Sequence, residues 1–391
     1  TIRNGAYLCD QDIVAQRTAD AVRNLDLLER WGVNFRRDSK GLPSVSKAMG
    51  HAKPRVADAG DATAREVQKT LEEQCMRYGV VRRGDHLPLS LIHSNHTVHG
   101  ITVADMIAGR ILSIQSKAVI LADEGFEGVF SHGAIGIGMD LALQAGLPLR
   151  DMEFISHTPL GIVDTNMILP AGLLSAGATL HEANGNDLDL GDESTAAICA
   201  AVQGANQAVV DARHLGDASP WWSSVFRSVA QRTGIDMSKQ TVAVEVRPSL
   251  SIGGIATDEH GRAVNGAWSR WFTGLYAAGD AACTGFHGVN ALPGNQLLDA
   301  LGSGAAAGDH AGTWAKDRKL SGSSVAQQDE EQANADFSAL CEASSDAVIR
   351  VGSVATKLRD AARNALVGDR DATSLANSIE SLEALSVTAE S

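Results

Sequence analysis

Aromatic residues make up only 4% of this 391-residue chain, so Ala, Val, Ile and Leu must fill its core. Proline is scarce, nine residues against 39 glycines. Many backbone positions are therefore free for close approaches and positive-φ turns. The five cysteines, at positions 9, 75, 199, 283 and 341, form no C-x-x-C pair. An odd, scattered set fits a reducing compartment. It argues against a disulfide framework and against an iron–sulfur cluster held by this chain. Positive charge is in deficit: 33 Lys and Arg stand against 47 Asp and Glu, a formal charge of −14. With no basic patch to neutralise phosphates, nucleic acid is not an expected partner. A polybasic membrane-surface anchor is excluded on the same ground. No apolar run approaches the ~20 residues of a membrane span. The polar opening residues lack the apolar stretch of a signal peptide. The first residue is Thr1 and not Met, so a processed or incomplete form is expected.

What is present reads as an alternation of helices and strands. At roughly 100–200 residues per domain the length suggests two or three domains. Residues 11–31 place Ile13, Val14, Ala21, Leu25, Leu28 and Trp31 at helical spacing, with Gly32 as a stop signal. A second helix is expected over 61–79, with Asp61 or Thr63 as its cap. Short β-like pieces follow at Leu87–Ile92, Gly100–Asp105 and Arg110–Ile114, then a buried strand at Ser116–Ala122 and a glycine-bounded helix at Gly136–Gly146. This order predicts an α/β domain. Ala-rich helical stretches occur around 194–208 and 221–233, and strand returns at Thr241–Val246. Gly274–Cys283 reads as a buried strand ending in a Gly-rich turn. Asn295–Gly308 reads as a helix with small residues along one side. Residues 316–330 are polar and read as a linker, and 331–385 as one or two amphipathic helices.

The stretch Gly274–Gly308, "GLYAAGDAACTGFHGVNALPGNQLLDALGSGAAAG", resembles the signature of the succinate dehydrogenase and fumarate reductase flavoproteins. In that family, which includes the aspartate oxidases, a strand ends in G-E-A. H-G-A-N-R-L-G follows, then S-N-S-L-L-D opening a helix. Other pieces occur in the family's order: "TLEEQC" (Thr70–Cys75), "KAVILADEG" (Lys117–Gly125), "LALQAGLPLRDMEF" (Leu141–Phe154), "VVDARHLGD" (Val209–Asp217), "GIDMSKQTVAV" (Gly234–Val244) and "IGGIATDEHGRA" (Ile252–Ala263). The resemblance covers roughly residues 5–315. It implies an α/β fold in which a flavin-binding Rossmann-like domain, 1–156 plus 245–315, is interrupted by an α+β capping domain, 157–244. A C-terminal helical region, 331–391, follows the 316–330 linker. It also implies FAD, an iron–sulfur partner subunit and membrane-anchor subunits, and a place peripheral to an energy-coupling membrane, on the bacterial cytoplasmic face or the mitochondrial matrix face.

The family grips the FAD pyrophosphate with G-x-G-x-x-G at its first strand–helix turn, where a helix N-terminus holds negative charge. No such motif occurs here, and Gly133–Gly138 has the wrong spacing. The chain is expected to start beyond that first βαβ segment. The flavin-ring half is better kept by resemblance. Asp280 matches the acidic residue of G-E-A, as a hydroxyl acceptor or a plain turn residue. Asn295, Gln296 and Leu297 open a helix aimed at the flavin pyrimidine, with a plain helix cap as the alternative for Asn295. Ala122 and His287 match positions near the cofactor. Where the family has A-T-G-G this chain has "ADEG", so Asp123 and Glu124 bring two carboxylates toward a negatively charged ligand, which is unfavourable.

A dicarboxylate needs Arg and His donors, because charge-assisted bonds offset its desolvation. By resemblance the family supplies them from four places. Here those positions read Thr158, Leu174, Ser249 and Ala291. No catalytic residue is therefore assigned. His157 and Arg247 are the candidate surrogates. The expectation is lost or altered dicarboxylate chemistry in an FAD-dependent oxidoreductase class, or a pseudoenzyme serving as a structural or assembly subunit. His93, His96 and His99 recur every third residue, but no Cys or carboxylate stands at ligand spacing, so no metal site is assigned.

Overall fold

The structure is a computed structural model that describes residues 1–130, 133–265, 270–342, 351–366 and 370–390. It is α/β, and its contacts divide into two units. Unit 1 comprises Thr1–Val81, Ser156–Leu250 and Phe286–Leu298; unit 2 comprises Arg82–Ile155, Ser251–Gly285 and Asp299–Ser391.

Unit 1 opens on the Gln11–Trp31 helix. The Asp10 carboxylate accepts from the Asp12 and Ile13 amides, and the left-handed Gly32, φ 113°, bonds back to Leu28 and Glu29. The stop at Gly32 follows the sequence expectation, because glycine tolerates positive φ; the Asp10 cap, a short acidic side chain satisfying first-turn amides, was not foreseen. Ile13 and Val14 bury against Cys9 and Phe286. A four-stranded sheet runs in the order Ile155–Ile162, Val242–Ser251, Ala208–Asp211, Thr179–Glu182. Leu160, Val210, Trp222, Val229 and Met237 pack on it. Each such side chain contributes roughly 1.5–3 kcal/mol by leaving water.

The second helix spans Thr63–Arg77 and has no side-chain cap of its own. The expected cap residues serve elsewhere. Thr63 Oγ1 accepts from the Ala59 amide. Asp61 accepts from the Ser224 and Val225 amides, at 2.8 and 3.0 Å, at the start of the Ser223–Thr233 helix. Asp61 is thus a cap supplied from 163 residues upstream of Ser224. Asp61→Ala should cost about 1 kcal/mol, read as a lower urea midpoint with an unchanged slope.

Unit 2 is built on a six-stranded sheet. Its order is Arg262–Asn265, Arg270–Ala277, Thr97–Asp105, His86–Ser94, with Arg110–Gln115 on Thr97–Asp105 and Val119–Leu121 on Arg270–Ala277. The hairpin turn at Asn95 and His96 has both residues at positive φ, 48° and 57°, which matches the right-handed twist of its strands. His93 and His96 set their rings edge-on to Phe272, and His99 bonds the Ser94 and Ser321 hydroxyls. Among the described residues no three His, Cys, Asp or Glu side chains group to hold a metal ion.

Three C-terminal helices are described, Ser323–Glu342, Val351–Leu366 and Ala372–Glu390, where the sequence suggested one or two. The first begins inside the stretch read as a linker. Its polar residues face a sheet: Asp329 accepts from the Ser90 and Thr102 hydroxyls, and Glu330 from the Ser113 amide. Polarity there means strand-binding donors and acceptors, not solvation.

Candidate functional site

In unit 2, two adjacent parallel strands end side by side. Leu275–Ala277 pairs in parallel with Val119–Leu121, and the Ala278 amide bonds the Leu121 carbonyl. Ala122 follows one strand and the Gly279–Ala281 turn, carrying Asp280, follows the other. The structure therefore brings Ala122, which is exposed, and Asp280, which is half-buried, to one edge. The carboxyl ends of parallel strands are where open α/β sheets bind ligands. The turn is held by Ser303, which accepts from the Gly279 amide and donates to the Asp299 carbonyl. Ser303 lies on the Asn295–Lys316 helix, whose Ala307 and Ala311 pack against Tyr276 and Ala278. The small-residue face foreseen in the sequence is thus a close-approach face.

Asp123 and Glu124 are turned onto backbone. Asp123 accepts from the Gly138 amide at 2.8 Å and Glu124 from the Ala134 amide at 3.1 Å. Gly138 stands in the first turn of the Ile137–Gln144 helix, where negative charge is favoured. Nearby, burial pushes the Cys283 thiol up to about 11, so it stays protonated at neutral pH.

In unit 1, Asn295 is 7% exposed and its side-chain amide donates to the Thr1 hydroxyl. The first intrahelical bond runs from the Leu298 amide to the Gly294 carbonyl. Gln296 and Leu297 therefore occupy the first turn, whose amides point out of the helix. His287 lies edge-on to Phe286, and its carbonyl is against Gly5.

The structure gathers three of the four dicarboxylate positions in unit 1. The Ser249 hydroxyl donates to the Ser156 carbonyl at 3.0 Å. The Ser156 hydroxyl donates to the Asn290 side-chain carbonyl, beside Ala291. Thr158 lies two residues along the same strand and accepts from the Leu160 amide. The fourth, Leu174, is packed into the apolar core. Arg247 is engaged: it bonds Glu245 and the Thr165 carbonyl. His157 is half-buried on the Ile155–Ile162 strand. Sequence reasoning missed Ser156 and Asn290. Asn290 was visible in the matched "VNAL"; Ser156 left no signal, because its role depends on a segment 134 residues away.

The family described as an FAD binding domain matches residues 1–297. The chain belongs to the FAD binding domain family. It is 31% identical over 354 residues to a fumarate reductase flavoprotein subunit of Mycobacterium tuberculosis, covering 81% of this chain and 59% of that protein. It is 30% identical over 333 residues to an L-aspartate oxidase of Mycobacterium leprae, covering 79% and 61%. Its fold matches an E. coli quinol fumarate reductase mutant with a TM-score of 0.86 at 24% identity, covering 99% of this chain and 71% of the other. The chain spans about three fifths of the length of the curated relatives it matches.

FAD is the cofactor of this family. In unit 2 the strand edge at Ala122 and Asp280 carries a carboxylate, and in unit 1 the helix start at Asn295–Leu297 presents a dipole that favours negative charge. The 391 residues contain no G-x-G-x-x-G.

Proposed function

We propose that this FAD-binding-domain chain is of the succinate dehydrogenase and fumarate reductase flavoprotein type, an FAD-dependent oxidoreductase class whose dicarboxylate chemistry is lost or altered. One observation carries the reading: Thr158, Leu174, Ser249 and Ala291 are all uncharged, and Ser249 is spent on a carbonyl of its own unit. In this reading Ala122, Asp280, His287, Asn295, Gln296 and Leu297 face the flavin. The partners are an iron–sulfur subunit and membrane-anchor subunits, with the chain peripheral to an energy-coupling membrane. In support, none of the helices among the described residues is long and apolar enough to cross one.

A second reading, a structural or assembly subunit without turnover, is favoured by the uncharged residues at these four positions. Flavin spectroscopy separates the two. The chain is purified, supplied with FAD, desalted and scanned across the flavin bands before and after acid precipitation. Flavin retained in proportion to protein supports the oxidoreductase reading. A colourless chain that stays colourless leaves the structural subunit.

A further inference from the structure

In unit 2 the turn at Asp258–Arg262 lies directly against the Asn295–Lys316 helix. A β-carbon at Gly261 would stand 2.8 Å from that of Ala307, and Gly261 has φ +70°. Only glycine lets the turn and the helix come this close. Three residues further along the helix, on the same face, the His310 ring stacks on the His260 ring, with centroids 5.1 Å apart and planes 25° apart. Trp271 sets its ring edge-on to His310. Asp258 fixes the turn itself, accepting from the His260 and Arg262 amides and from Arg262 Nε.

One polar bond in this contact answers to a proton. The Tyr276 hydroxyl lies 2.9 Å from His310 Nδ1. Tyr276 is fully buried, and burial pushes its hydroxyl up to about 12, so the phenol keeps its hydrogen. The phenol then donates, and Nδ1 of a neutral ring accepts. A proton on Nδ1 would turn that acceptor into a second donor. The hydroxyl makes no other hydrogen bond among the described residues, so its hydrogen would be left buried and unpaired, which is costly. The surrounding charges act the same way. Arg262 and the stacked His260 oppose a positive ring; Asp258 favours one but is already paired with Arg262 at 2.6 Å. Glu259 stands 3.6 Å from His260 at the exposed rim, Asp309 is exposed on the helix, and Arg318 is stacked over Trp314. Burial, ahead of these charges, holds His310 below the ordinary histidine value. The closed contact thus takes a proton less readily than the open one. It is complete above the ordinary histidine value and is lost as pH falls through the folded one.

We propose that His310, His260 and Tyr276 form an acid-released latch between the helix and the Asp258–Arg262 turn. Its effect reaches the candidate strand edge. About two helical turns before His310, Ser303 accepts from the Gly279 amide and holds the turn that carries Asp280. Opening the latch lets that turn slacken. The latch requires neither flavin nor any particular substrate.

The test is hydrogen exchange of the full chain, without added flavin, read by mass spectrometry at about pH 7.5 and about pH 5.5, either side of the ordinary histidine value. Rates are corrected for the intrinsic pH dependence of exchange. Amides of residues 276–283 and 300–312 are expected to exchange about tenfold faster at the lower pH, the effect of one buried hydrogen bond left unmade. His310→Gln keeps an acceptor for the phenol and cannot take the proton, so it should abolish the acceleration. Tyr276→Phe removes the stranded hydroxyl and should reduce it. In spectra of ¹⁵N-labelled histidine at neutral pH, His310 should carry its hydrogen on Nε2. Exchange in these segments that ignores pH, an acceleration kept in full by His310→Gln or by Tyr276→Phe, or a His310 hydrogen on Nδ1 at neutral pH would each overturn the latch.

Discussion

Supplied with FAD and a reductant, the chain should reduce fumarate at least ~10⁴-fold more slowly than a fumarate reductase flavoprotein assayed beside it. The estimate follows from charge. A doubly anionic substrate must leave water, and only charged donors offset that loss. A hydrogen bond to a charged group contributes about 1.5–3 kcal/mol. The family resemblance puts four such donor residues at the positions of Thr158, Leu174, Ser249 and Ala291, where this chain has none. Four losses amount to at least about 6 kcal/mol, which is ~10⁴-fold in rate. The two candidate surrogates do not alter this sum. Arg247 already bonds Glu245 and a carbonyl, and His157 is a single residue. Fumarate turnover by the unmodified chain within tenfold of the comparison enzyme, at equal flavin content, would sink the reading.

How much of this was legible beforehand depends on how local the cause is. The strand–turn–helix run from Gly274 was readable because its physics is short-range: glycine at a tight turn, small residues on a closely packed helix face. Ala122 and Asp280 also emerged as neighbours, since parallel strands bring their carboxyl ends together. Gly32 behaves as any helix stop would. Long-range pairing was not legible. Asp61 looks like a cap for the helix that follows it, and its carboxylate goes to the Ser223–Thr233 helix instead. The polar 323–330 residues look solvated, yet Asp329 and Glu330 bind strand groups. The carboxylates of Asp123 and Glu124 seemed aimed at a ligand, and backbone amides take them up. In each case the sequence gives the right donor or acceptor and omits its partner. Hydrogen bonds are specific in geometry but indifferent to separation along the chain.

The same logic predicts the largest stability loss. Asp211 is only 6% exposed, and Arg213 grips it with two bonds, at 3.0 and 2.6 Å. The hydrogen bond from Arg213, before any other cause, holds the Asp211 carboxyl well below the usual carboxylate range. His181 stands 3.7 Å away. Arg213→Leu leaves a buried carboxylate with its cation removed and should lower the urea midpoint at neutral pH. Solvent screening moderates the loss, because Arg213 itself is 43% exposed. The pH dependence gives the mechanism away. In the parent chain the folded carboxyl is depressed, so its contribution is complete above about pH 4 and fades as pH falls toward the folded value. In the variant the buried carboxyl takes a proton more readily, which relieves its penalty. The gap between the two chains in urea unfolding should therefore close on acidification. The double change Asp211→Asn with Arg213→Leu removes charge and countercharge together and should lie within about 1 kcal/mol of the parent. A gap that stays constant from neutral to acid pH, or a double variant as unstable as the single, would mean that Arg213 acts through packing and not through charge.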